Sequence, residues 1–256
     1  MLRNLLCILT GAAQRPAASA AVFSLWLAWS PSIAQPTSHR ALAASPWLFQ
    51  ADDHESTAAS LTRSKRRDGE QILSGRTQFQ LRGVVRSIIV EESAQIGADG
   101  RLLRAEVHLQ YVARGTAPLR QDLIADAIFD AIGGSVITLD RDGITRARRV
   151  ASSAPWVYLP VSLPSGSTLS TPVAVIVARA AARAGPDVLR VSALGAEVSV
   201  STDQLWVPGT NEDWLLLGDD LATFSCDSSA CDELVKLHVA ALGSDLTAHA
   251  TLRASL

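Results

Sequence analysis

Lysine is almost missing from this chain: of 23 basic residues only Lys65 and Lys236 are lysine, and methionine occurs once, at Met1. The arginine preference reflects coding bias more than function. No sign of charge dominates either, since 25 acidic residues leave a net charge of −2, which excludes a protein that coats nucleic acid through bulk charge. Three cysteines in 256 residues are too few for a disulfide-dense scaffold. After residue 34 no apolar run is long enough to span a bilayer. Also missing are GxSxG, HExxH, CxxC, a P-loop and a GxGxxG in its proper context, so no cofactor, metal or catalytic residue is assigned.

What is present begins at the N-terminus. Arg3 and Arg15 precede the uncharged stretch AASAAVFSLWLAWS, and Ser32 and Ala34 put small residues at the two positions a signal peptidase reads. Residues 1–34 therefore read as a signal peptide cut between Ala34 and Gln35. Arg15 makes the leader long, and the 19 residues from Pro16 to Ala34 just suffice for a bilayer, so a retained membrane anchor is the alternative. Cleavage removes Cys7 and leaves Cys226 and Cys231, which in an oxidising compartment form one local disulfide across CDSSAC. A zinc site from Cys226, Cys231 and His238 is disfavoured, because the spacing fits no familiar closed site and a fourth ligand is missing.

Residues 35–75 mix Pro, Ser, Ala and scattered charge without a sustained apolar period, and are expected to be a flexible linker. A single domain over 76–254 follows. Arg101 to Ala113 alternates, with Leu103, Ala105, Val107, Leu109 and Tyr111 on one face, which predicts an antiparallel strand wetted on its other side. Ala98-Asp99-Gly100 turns it into a hairpin with Val84 to Glu91, and Asp142-Gly143 predicts a second hairpin over 135–150. Residues 122–132 are ambiguous between helix and strand. Four prolines between Pro155 and Pro172 mark an edge or crossing segment anchored by Trp156 and Tyr158. Short strands are expected at 188–191, 196–200, 205–207 and 214–217.

Two helices are predicted. Thr171 caps the first, Pro172 opens it and Gly185-Pro186 stops it, with Arg179 and Arg183 forming a basic stripe that reaches water. The second starts near Ser229 and ends at Gly243, with Leu234, Val235, Leu237, Ala241 and Leu242 on its apolar side. The acidic group Glu212, Asp213, Asp219, Asp220 and Asp227 lacks the spacing of a calcium loop and reads as solubilising surface. Arg146, Arg148 and Arg149 read as a solvated strand edge.

The expected fold class is α+β: a mainly antiparallel curved sheet, with a half-barrel as its candidate form, packed against two helices. Its order of amphipathic hairpins, proline-rich crossing and helix, over residues 78–252, is similar to exported half-barrel proteins such as the periplasmic lipoprotein carriers. That likeness lies in element order, so it transfers no functional residue. The functional expectation is an exported, periplasmic or extracellular protein of the envelope, non-enzymatic, that binds a lipid-like ligand or an envelope protein. Trp156, Trp206 and Trp214 are its candidate ligand-binding residues, since they adjoin apolar strand positions. An exported hydrolase assembled from His108, His238 or His249 with carboxylates is the alternative, and a structural envelope protein a third. Nucleic acid is not an expected partner, and membrane contact is expected only if the N-terminal segment is retained.

Overall fold

The computed structural model describes residues 47–51, 57–81, 85–113, 123–139, 144–151, 153–163, 165–185, 187–192, 197–201, 204–206, 211–227 and 230–249. The expected leader and its cleavage point lie outside the described residues. The N-terminal half supplies β1 (Trp47–Ala51), β2 (Ala58–Lys65), β3 (Gln71–Gln80), β4 (Val85–Ile96), β5 (Leu102–Ala113), β6 (Leu123–Asp130), β7 (Gly133–Leu139) and β8 (Thr145–Ala151). A crossing region follows: β9 (Trp156–Leu159), β10 (Val161–Ser162), β11 (Thr168–Leu169), α1 (Pro172–Ala184), β12 (Asp187–Ser192) and β13 (Glu197–Ser201). The chain ends in β14 (Gln204–Trp206), β15 (Glu212–Leu217), β16 (Asp220–Asp227), β17 (Ala230–Val239) and β18 (Ser244–His249).

Thirteen strands form one antiparallel sheet that is not closed, in the order β14-β15-β16-β17-β18-β1-β2-β3-β4-β5-β6-β7-β8. The two sequence halves join where β18 pairs with β1, Leu48 facing His249 and Ala51 facing Leu246. The long strands feed alternating rows into a common core: Ile88, Val90, Ala94 and Ile96 from β4, Ala105, Val107 and Leu109 from β5, Leu215 and Leu217 from β15. The core is covered by α1, which contacts β2, β3, β4, β15 and β17, and by the small sheet β13-β12-β9. All four residues of β9 are buried, and Trp156 stacks on Phe129 of β6 with ring centroids 4.9 Å apart.

Both predicted hairpins form, β4 with β5 and β7 with β8, and the ambiguous segment becomes strand β6. Two expectations are corrected. The stretch expected as a linker over 35–75 contains β1, β2 and the start of β3, so the sheet begins before residue 76. The second helix does not form; its residues are β17 and the turn that leads into β18, and α1 is the single helix among the described residues. The cause is a β-bulge: Thr223 faces Lys236 while Phe224 faces Leu234, so Val235 is extra and Leu234 and Leu237 both point inward. That three-residue spacing imitates a helical period. Gly243, read as a helix stop, has φ +62° in the β17–β18 turn.

Candidate functional site

Thr171 opens α1 as its N-cap, the hydroxyl accepting from the Ala174 amide at 3.2 Å, and Pro172 occupies the first turn. The helix is buried over nearly its whole length, because Val173, Val175, Ile176 and Val177 face the strands around it. One consequence corrects the expected basic stripe. Arg183 is 41% exposed, but Arg179 is only 5% exposed and donates from Nη2 to the buried carboxylate of Asp213 on β15. The Arg179 guanidinium lies 5.4 Å from the Phe224 ring, and its Nε and Nη1 have no hydrogen-bond partner. Burial, reinforced by the like charge of Arg183 and opposed by Asp232, lowers its pKa to about 10, so it remains a cation at neutral pH.

Beside Arg179 lies a pocket of about 190 Å³. Ile176, Ala180 and Phe224 give it apolar walls, while Arg63, Arg183 and Gln71 give it polar ones. Its floor includes the β4–β5 turn at Gly97 to Gly100. Asp232 of β17 bridges the rim, accepting from Arg183 and lying 3.7 Å from Arg63, which in turn donates to Gln71 at 3.0 Å. Of the charged lining residues three are arginine and two, Asp99 and Asp232, are aspartate. With Asp213 paired to Arg179 behind the wall these charges balance, and apolar surface lies alongside.

Two further polar groups are built into the core. Glu92 of β4 is buried, and Tyr158 of β9 donates to its Oε2 at 2.7 Å. Burial raises the Glu92 pKa to about 7, against the opposing effect of hydrogen bonds from Thr171 and Tyr158. Asp220 of β16 accepts from the Ser170 amide at 2.8 Å and the Ala240 amide at 2.9 Å, tying the residue before the helix cap to the sheet. Burial raises its pKa too.

The candidate residues read from sequence are not gathered at one place. Trp156 is 2% exposed in the core, whereas Trp214 projects from the opposite face of β15 to Asp213, Leu215 and Leu217. Trp206 is on β14, its side chain outside the described residues. His238 meets Asp245 at 2.7 Å on a half-exposed face of the β17–β18 hairpin, and His108, on β5, is five strands away. Cys226 is on β16 and Cys231 on β17, the latter's side chain outside the described residues. Among the described residues no group of three His, Cys, Asp or Glu side chains is placed to hold a metal ion.

Asp213 and Asp220, expected on the surface, are core residues, and Glu92 was not singled out at all. The signal was in the strand period. Asp213 is in phase with Leu215 and Leu217, and Glu92 with Val90 and Ala94. Compared with family models, curated proteins and solved structures, the chain matches none.

Proposed function

We propose that the chain is an exported, non-enzymatic protein of the cell envelope or extracellular space, a half-barrel wrapped round α1 that binds a small amphipathic ligand. The pocket beside Arg179 carries this reading, because it sets apolar walls against an arginine-lined one. The half-barrel is supported by reach. From β15 to β4 there are seven strand spacings, about 34 Å if flat, yet a thirteen-residue helix of about 20 Å contacts both. A sheet curved round the helix satisfies both lengths.

The ligand is smaller than the lipid expected from sequence. The pocket offers about 190 Å³, which suits a small ligand. The core beside β6 is already filled by Trp156 stacked on Phe129. Export is supported by the leader pattern in residues 1–34 and by the cysteine pair. Register favours a Cys226–Cys231 disulfide: Ser225 faces Glu233 and Asp227 faces Ala230, so the two cysteines fall on adjoining strands between these pairs.

Native mass spectrometry and an intact mass of the protein recovered from its own compartment test the reading together. The expected result is a chain starting at Gln35, two hydrogens lighter than its reduced form, with a small co-purifying amphiphile. A chain starting at Met1 in the soluble cytoplasmic fraction would overturn export. Absence of any bound amphiphile, with no binding of a hydrophobic probe, would favour the structural envelope protein.

A further inference from the structure

The binding reading above leaves the ligand's chemistry open, and the pocket narrows it. Arg179 lines the pocket and donates to a single carboxylate through one nitrogen, while its Nε and Nη1 are buried without a partner. A guanidinium offers five N–H groups in a planar fork shaped for oxyanions. Leaving several of them unsatisfied in the core is costly, and an oxyanion with two acceptor oxygens is the group that best relieves it. The three arginines of the lining are balanced by Asp99, Asp232 and, behind Arg179, Asp213, so the preference for an anion rests on the unpartnered N–H groups and not on net charge. Ile176 and Phe224 on the same wall suit a short apolar body attached to that group.

We propose that the pocket between α1, the β4–β5 turn and β16 is an anion site that takes an oxyanion, a carboxylate or phosphate, on a short apolar body, with Arg179 as its principal ligand. Arg63 and Arg183 sit on the rim, held by Asp232, where they attract and orient the incoming anion. Asp213 positions the Arg179 fork from β15. This site rests on the binding reading, and its chemistry is separately testable.

The test is calorimetric titration of the full chain with hexanoate and, separately, with inorganic phosphate. Arg179→Met alone strands Asp213 in the core and risks unfolding. The decisive variant is therefore Arg179→Met with Asp213→Leu, which removes both charges and retains apolar volume. Saturable binding of hexanoate alone supports a carboxylate-bearing ligand, and of phosphate alone a phosphate-bearing one. In either case the double variant should keep its melting temperature and bind about tenfold or more weakly, the effect of losing a charged hydrogen bond. No saturable binding of either anion, or equal binding by the double variant, overturns the site. If a hydrophobic probe still binds while neither anion does, the anion site fails and the broader binding reading stands.

Discussion

Glu92, Arg179, Asp213 and Asp220 are charged residues buried where strand or helix period points them inward. Each meets a defined partner: Tyr158 for Glu92, Asp213 for Arg179, and two backbone amides for Asp220. A charge in such a position is expensive unless paired, so these four mark where the core trades apolar packing for orientation. Glu92 makes the exchange visible in pH. Its pKa is raised from 4.5 to about 7, so the folded chain holds a proton that the unfolded chain releases. Its contribution is complete below pH 4.5, and stability falls as pH rises toward 7, by about 3 kcal/mol in all. Urea unfolding between pH 4.5 and 8 should show that decline. Glu92→Gln should flatten it and exceed the wild type at pH 8; a wild type with level stability over the same window would remove Glu92 as a buried acid.

The elements differ in how openly the sequence declared them. Alternation with a wet outer face made β5 legible, turn residues at Ala98-Asp99-Gly100 and Asp142-Gly143 placed its partner β4 and the β7–β8 hairpin, and Thr171, Pro172 and Gly185 bounded α1 on both sides. The failures have local causes. The bulge at Val235 broke the period of β17 into a helical imitation, and β2 places polar Thr62, Ser64 and Lys65 along an eight-residue strand that buries only Ala59 and Leu61. The pocket was hidden for another reason: Arg63, Phe224 and Asp232 reach Arg179 through sheet pairing that no short window contains. One close approach fixes the helix against the sheet. Gly100, at φ +84° in the β4–β5 turn, would place a Cβ 2.6 Å from the Ala180 carbonyl oxygen of α1. Gly100→Ala should cost about 2–4 kcal/mol, combining left-handed strain with overpacking. Gly166→Ala is the control, since φ is +86° there with nothing within 4 Å, and strain alone predicts about 1 kcal/mol. Equal losses in the two variants would mean that the turn does not hold α1.

An unclosed sheet has two edges, here β14 and β8, and each is a template on which another strand can pair. On β8 every residue from Thr145 to Arg149 is exposed, and three of those five, Arg146, Arg148 and Arg149, are arginine. The outer face next to this edge is apolar: Ile124 on β6 faces Leu139 on β7, and Ile137 lies beside them, each at least 39% exposed. An edge with such a neighbour would invite edge-to-edge pairing if it were uncharged, because a second copy would extend the ladder and cover the isoleucines together. The arginines oppose this, since antiparallel pairing of two β8 strands brings six guanidinium groups into one narrow band. Their expected role is solubility. Replacing Arg146, Arg148 and Arg149 with threonine keeps strand propensity and removes the repulsion. Sedimentation velocity over a concentration series should then show the triple variant associating at concentrations where the wild type does not. High salt should narrow the difference by screening the wild-type edge. A triple variant that sediments like the wild type at every concentration would show that the twist of the open sheet, and not its charge, keeps β8 unpaired.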